Sequence, residues 1–285
     1  GEGLTIVVNS QAGPALASDP AAELRSALPR AEVVAVDDAD HLRAALDRAA
    51  EDARVVGAAG GDGTLNTAAA IALDAGKPLL VVPAGTLNHL ARDLGATGVD
   101  DAVAAVRDGH AVEVDVGLLA DRVFLNTASF GGYAEFVDAR ERLQPTIGKW
   151  PAAFVALVRM LRRGEPCRVE IDGRERNIWM IFVGNCRYHP SGFTPSWRER
   201  LDDGLLDVRI VDADQPWARL RLVASVLTGR LGRSRVYEQR TATRLEVRGL
   251  DGPLRLASDG ETFDGPERFT IEKRPRALTV YVPWR

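Results

Sequence analysis

The sequence predicts an α/β N-terminal domain with a doubly wound parallel sheet, followed by a mainly antiparallel β C-terminal domain. Three observations predict it. Short apolar runs alternate with helical stretches from Leu4 to Gly95, the pattern of successive βαβ units. After "VDDAVAAVRDG" the apolar runs follow one another with few helical intervals and recurrent Asp-Gly turns. The 285 residues, 46% hydrophobic and 27% charged, suffice to bury two ordinary cores without disulfide staples.

The elements follow in order. "LTIVV" (4–8) is a short apolar run, as a buried parallel strand should be. "SDPAAELRSAL" reads as a helix with Asp19 as N-cap and Pro20 at its first position. "EVVAV" and "DADHLRAALDRAA" repeat the strand–helix unit, and "RVVGAA" leads through a glycine turn into the helix "TLNTAAAIALDAG". "PLLVV" (78–82) is the fourth strand, and "TLNHLARDLG" a helix closed by Gly95. "VEVDVGLL" and "RVFLNTASFG" then read as neighbouring strands joined by a tight turn, and "GKWPAAFVALVRMLRRG" as helical. "CRVEIDG", "NIWMIFVGN", "LLDVRIVDA", "RLEVRG", "LRLASDGE" and "ALTVYVP" supply the strands of the second domain. The expected division is 1–117 for the first domain and 118–271 for the second, with 272–285 packing back on the first. The active site is expected in the cleft between them.

Composition narrows the function. A net charge of −4 argues against a nucleic-acid binder, although "VRMLRRGEPCR" (158–168) and "RLRLVASVLTGRLGRSR" (219–235) are rich in arginine. Cys167 and Cys186 form neither a CxxC nor a zinc spacing and read as inert thiols of a reducing cytoplasm. The four histidines lie far apart, and no run reaches the roughly 18 apolar residues of a membrane span. No signal peptide is visible, and the start at "GEGLTIVV" leaves a domain excised from a longer protein as an open expectation.

The stretch with most chemical content is "GGDGTLN" (60–66), placed where a buried strand opens into a helix. Backbone N–H groups there face the crevice in which phosphates bind, and Gly60, Gly61 and Gly63 let a nucleotide approach the backbone. Asp62 cannot hold a phosphate, since like charges repel, but it can hold Mg²⁺ or its waters against one. The alternative is an ordinary turn capped by Asp62 or Thr64. The next strand repeats the design: Pro83, Gly85, Thr86 and Asn88 lead into a helix, so two turns should lie side by side.

"GGDGTLN" (60–66), "PAGTLNHLARDLG" (83–95), "DDGLLDV" (202–208) and "DGE" (259–261) together resemble the bacterial diacylglycerol kinase family, whose catalytic domain sphingosine and ceramide kinases share. GGDG alone also occurs in NAD kinases and 6-phosphofructokinases, to whose fold the first domain is similar. The resemblance implies ATP and Mg²⁺, with the γ-phosphoryl passing to the hydroxyl of diacylglycerol or a related lipid alcohol. It implies ATP contacts at Asn9, Gly13, Gly61, Gly63, Thr64 and Thr86, with Gly60 and Asn88 in the same turns. "NSQAG" (9–13) keeps Asn9 and Gly13 of the family's Asn-Pro-x-Ser-Gly-like turn, but Ser10 replaces the proline and Ala12 the serine. Asp62 and Asp115 match two members of an acidic Mg²⁺ network, whereas His89 stands where the family has a third aspartate.

The resemblance makes Glu261 the proton acceptor from the lipid hydroxyl, with Asp259 orienting it or joining the metal network. Without it, "DG" here is a hairpin turn. It also implies a structural Mg²⁺ on Asp203 and the carbonyls of Arg200 and Leu205, against the alternative of a solvated acidic turn. Tyr188, His189, Phe193 and Trp197 in "GNCRYHPSGFTPSW" would suit an acyl chain or a core edge. "WPAAFVALVRMLRR" (150–163) could lie on anionic lipid or pack on the core. A lipid acceptor implies peripheral association with the inner membrane face from the cytoplasm, the arginine clusters being the candidate contacts. A homodimer remains compatible with the sequence. The alternatives are a kinase of a soluble acceptor such as NAD, and a catalytically weak nucleotide- or lipid-binding protein. No NAD-kinase "NE" element follows the GGDGT helix.

Overall fold

The computed structural model describes residues 1–11, 19–85, 88–131, 166–190 and 196–284. The chain divides into two compact units: Gly1–Val116 with Glu199–Gly204 and Arg274–Arg285, and Gly117–Arg198 with Leu205–Lys273.

In the first unit β1 (Leu4–Asn9), β2 (Glu32–Val36), β3 (Val55–Gly60) and β4 (Leu79–Pro83) form a parallel sheet in the order β2-β1-β3-β4. Among the described residues five helices connect or flank them: α1 (Pro20–Ala27), α2 (Ala39–Asp52), α3 (Asp62–Asp74), α4 (His89–Asp93) and α5 (Val99–Asp108). Local chemistry sets their ends. Asp19 and Asp38 accept the Ala21 and His41 N–H groups and start α1 and α2. Gly95, at φ +82°, ends α4: its N–H donates to the Arg92 carbonyl and that of Ala96 to Ala91, a Schellman closure. Leu4, Ile6, Val8, Leu24, Leu80 and Val82 are among the side chains of this unit's core.

β5 (Ala111–Leu119) begins in the first unit and ends in the second. The second unit is antiparallel, as its "DG" punctuation predicts. It contains β6 (Arg122–Phe124), β7 (Thr127–Gly131), β8 (Cys167–Ile171), β9 (Arg174–Asn185), the short pair β10 (Tyr188–His189) and β11 (Trp197–Arg198), and β12 (Leu206–Asp212). After α6 (Ala218–Leu227) and a single 3₁₀ turn come β13 (Tyr237–Ala242), β14 (Arg244–Gly249), β15 (Arg255–Ser258), β16 (Glu261–Asp264) and β17 (Arg268–Tyr281). The sheet order is β16-β15-β7-β9-β8-β14-β17, with β12 added on β9 and β13 on β12. Its core is apolar, including Phe124, Phe130, Ile181, Val208, Leu245 and Ile271. The last residues of β17 count with the first unit, where Val280 and Tyr281 pair parallel with Leu79 and Leu80.

Three expectations change. "RVFLNTASFG" is two strands, broken at Leu125–Asn126 because the N–H groups of residues 125–127 turn to a carboxylate instead of a neighbouring strand. The last strand begins at Arg268, earlier than "ALTVYVP" suggests. The helix after the glycine turn starts at Asp62, inside the turn itself. The helical reading of 148–164 lies outside the described residues. Both cysteines are free thiols, and burial pushes that of Cys167 up to about 11. Among the described residues no helix is long and apolar enough to cross a membrane.

Candidate active site

In the order β2-β1-β3-β4 the winding reverses between β1 and β3, and a doubly wound sheet opens a crevice outside the carboxyl ends of its strands at that point. Asn9 closes β1 and Gly60 closes β3. The Asn9 Nδ2 donates to Thr64 Oγ1 at 3.1 Å, so two of the expected ATP contacts touch each other. The Asn9 Oδ1 accepts the Gln11 N–H at 3.0 Å and shapes the chain leaving β1.

Sterics explain the glycines. A Cβ on Gly60 would lie 2.5 Å from the Thr64 Cβ, and one on Gly85 would lie 2.4 Å from the Gly61 Cα. Backbone stands against backbone, so the two turns lie side by side as the sequence predicts. Gly63 is exposed in the first turn of α3.

α3 has Gly61 as its N-cap and no side-chain cap, so neither Asp62 nor Thr64 serves as one. Instead the Asp62 Oδ1 is buried without a hydrogen-bond partner among the described residues, and so is the Asn66 Oδ1. The two residues are four apart and share a helix face. Unpaired buried acceptors are costly, and a hard divalent cation is the ion that oxygen ligands satisfy. The donor set fits Mg²⁺. Sequence reasoning misses Asn66; its spacing from Asp62 within "GGDGTLN" is the signal that finds it.

Thr86 and Gly13 lie outside the described residues. Asn88 adopts φ +47°, a left-handed conformation that asparagine tolerates. Its Oδ1 accepts the Gly85 N–H at 3.0 Å and its Nδ2 donates to the Gly85 carbonyl at 2.7 Å. Both ends of the amide bond to Gly85, so Asn88 closes the second turn. His89 follows as the first residue of α4, its Nδ1 3.5 Å from an Arg92 guanidinium nitrogen.

Asp115 is 1% exposed on β5. Its Oδ2 accepts the Gly204 N–H at 2.7 Å and its Oδ1 the Arg276 N–H at 2.8 Å. The Asp115 N–H donates to the Leu201 carbonyl at 2.7 Å, which ties Glu199–Gly204 to the first unit. A carboxylate oxygen of Asp203 lies within 4.8 Å of one on Asp115. The Arg200 guanidinium grips Asp202 at 3.0 and 3.1 Å and holds that carboxyl below its ordinary range. Leu205 groups with the second unit, and its carbonyl already accepts the Cys186 N–H at 3.0 Å. Of the expected structural-metal ligands, the structure therefore brings Asp203 beside Asp115, while the Leu205 carbonyl serves a backbone contact.

In the second unit Asp259 and Glu261 have different environments. Asp259, at φ +46°, directs its carboxylate at the break between β6 and β7. It accepts the N–H groups of Leu125, Asn126 and Thr127 at 2.7, 2.8 and 2.7 Å. Arg198, 4% exposed, braces the same segment: it donates to the Leu125 carbonyl at 2.6 Å and the Asn126 Oδ1 at 2.9 Å. Asp259 is thus a clasp that fixes the Asp259–Gly260 turn. Glu261 starts β16, the outer strand of the sheet, and its exposed side chain makes no hydrogen bond or ion pair among the described residues. Tyr188 is core: it is 7% exposed, with its hydroxyl 3.3 Å from the Asn126 carbonyl. Trp197, 49% exposed, stacks on His189, and Phe193 lies outside the described residues.

Burial pushes the Asp259 carboxyl up to about 6, against three N–H donors that favour the charged form. With the folded value above the unfolded one, the native state holds the proton longer. The stability this group contributes is fully present below its ordinary value of 3.8 and is lost as pH rises through about 6. Asp259→Asn is expected to flatten that part of the profile. It should also lower stability by about 1–3 kcal/mol, because an amide NH₂ would face a backbone N–H. Thermal melts of both proteins from pH 4 to 8 check this; parallel profiles would refute it.

Residues 3–119 match the diacylglycerol kinase catalytic domain, and residues 132–282 match the YegS C-terminal NAD kinase beta sandwich-like domain. The chain is 31% identical over 238 residues to a "Probable lipid kinase YegS-like" of Pseudomonas syringae, covering 81% of this chain and 76% of the relative. It is 28% identical over 270 residues to the diacylglycerol kinase of Mycobacterium tuberculosis, covering 88% and 84%. A crystal structure of a diacylglycerol kinase from Bacillus anthracis shares the fold with a TM-score of 0.68 at 20% identity, over 98% of this chain and 96% of that one. Two family models in sequence along one chain, and relatives that align over most of its length, make this protein a member of the diacylglycerol kinase family that includes the YegS-like lipid kinases.

Proposed function

We propose that the protein transfers the γ-phosphoryl of ATP to the hydroxyl of diacylglycerol or a related lipid alcohol. The observation that carries the reading is the unpaired buried carboxylate oxygen of Asp62, set in a glycine turn at the β1/β3 switch point of a lipid-kinase family member. Bound Mg²⁺ would neutralise phosphate charge there. Asp62 and Asn66 would offer it oxygen ligands, with Asp115 as a further acidic member. The glycine turns offer backbone N–H groups to the phosphates, and Asn9, Thr64, Thr86 and Gly13 complete the nucleotide contacts. Glu261 accepts the proton of the lipid hydroxyl as its oxygen attacks the γ-phosphorus and ADP leaves. Asp259 positions Glu261 through the turn it clasps. Phosphoryl transfer through a loose transition state asks chiefly for this positioning and charge neutralisation.

Labelled ATP, Mg²⁺ and extracted membrane lipids in mixed micelles test the reading. Label in a phosphatidic-acid-like product is the expected result, and chelation of the metal should abolish it. Label in NADP would instead assign a soluble acceptor. Binding of ATP without transfer would make the protein a nucleotide-binding relative.

A further inference from the structure

We infer that the surface formed by α6 and the turn after it is the face that docks on an anionic lipid bilayer. From Gln215 to Tyr237 the chain carries five arginines (219, 221, 230, 233 and 235) and no acidic residue, in a protein whose net charge is −4. All five are exposed, and none pairs with a carboxylate among the described residues. The guanidinium of Arg219 lies 5.0 Å over the Trp179 ring.

Apolar groups stand among these charges. Trp217 is 78% exposed and Leu220 65%, two of the four exposed large hydrophobic side chains of the described residues. Ala218, Leu222 and Ser225 form the inward face of α6, so Leu220, Arg221 and Ala224 share the outward one. Trp217 holds φ +60°, a region disfavoured for bulky residues, immediately before the helix, where its carbonyl accepts the Arg221 N–H at 3.0 Å. The backbone is thus strained at the position that presents an indole to solvent.

Two apolar side chains are too few for the core of a stable protein–protein interface. They suit shallow insertion at the headgroup level, where tryptophan is at home and arginine meets lipid phosphate. A polyanion such as nucleic acid would use the arginines and leave Trp217 and Leu220 without a role. The inference rests on the lipid acceptor proposed above and assigns the surface by which the enzyme reaches it.

Sedimentation of the full chain with phosphatidylserine–phosphatidylcholine vesicles, free of nucleotide and of any lipid alcohol, tests the surface independently of catalysis. Binding is expected to anionic vesicles, to weaken with salt, and to be slight on pure phosphatidylcholine. Arg221→Gln with Arg230→Gln should lose about 25-fold in partitioning, at about fivefold per arginine. Trp217→Ser with Leu220→Ser should lose about tenfold or more. Both double variants should phosphorylate a short-chain, water-soluble lipid alcohol at the wild-type rate. Unchanged partitioning in both variants, equal binding to neutral vesicles, or retention on heparin without vesicle binding would overturn the inference. Vesicle binding that follows these variants in a protein with no lipid kinase activity would uphold the surface and overturn the proposed reaction.

Discussion

Glu261→Gln lowers the turnover number by about 10²–10⁴, the usual worth of a general base, and leaves the melting temperature unchanged. The two halves of this expected result have separate grounds. The side chain is exposed and without a partner among the described residues, so exchanging its carboxylate for an amide removes no native contact. The amide cannot take the hydroxyl proton, so the loss appears in kcat and in kcat/KM alike, with KM for ATP little changed. Because bond-making to the acceptor lags behind bond-breaking in a loose transition state, the loss should fall toward the lower end of the range. Initial rates in mixed micelles and a calorimetric melt of the same preparation decide it. Retained activity would move the base elsewhere, and a lowered melting temperature would give Glu261 a structural task. The contrast with Asp259 is diagnostic: Asp259→Asn should lose stability as well as rate, since three backbone N–H groups depend on that carboxylate.

The first unit was legible because each of its signals is local. Asp19 before Pro20, Gly95 after a short helix, and apolar runs between them each act within one turn of chain, and the structure realises all of them. The second unit was legible in its class but not in its breaks. Leu125 and Asn126 look like the middle of a strand, and they leave the sheet because a carboxylate more than 130 positions away collects their N–H groups. No pattern within "RVFLNTASFG" contains that information. β17 hides its length differently. Phe269, Ile271 and Lys273 are buried on odd positions, whereas Leu278 and Val280 are buried on even ones. The phase changes at Arg276, which takes φ +49° and donates its N–H to Asp115. A period-2 reading therefore sees only the second half. β13, "YEQRTA", has one buried residue, Tyr237, and so little alternation to read.

The site divides along the same line. The glycine turns announce themselves, because close backbone approach needs glycine and few other demands do. The tasks of polar residues within them depend on which partner each one finds. Asn88 and Asn66 are both asparagines three or four positions past a glycine turn's centre, yet one closes its turn on Gly85 and the other keeps a buried unpaired oxygen. Asp115 and Asp259 both match acidic positions of the family, and both turn out to hold backbone N–H groups that fix the chain around them. Asp62 alone among these acids has a buried oxygen that the protein leaves unpaired.

That difference makes Asp62→Ala the sharpest test of the metal reading. Without nucleotide or metal, the variant should melt within about 2 °C of the wild type. It loses a helix N-terminal charge worth about 0.3–1 kcal/mol, and it is relieved of a buried oxygen with no partner. A capping role would instead cost about 1 kcal/mol and leave transfer intact. With saturating MgATP the wild type should gain several degrees, since a ligand held at 100 times its Kd stabilises by about 2.7 kcal/mol, and the variant should gain little. Activity should fall by about 10³ or more, the scale of several kcal/mol of lost charge neutralisation in the transition state. Adding Mn²⁺ in place of Mg²⁺ should not restore it, because the missing element is the ligand and not the ion. A variant that keeps its MgATP-dependent shift would place the metal away from the glycine turn and leave the orphaned oxygen without an occupant.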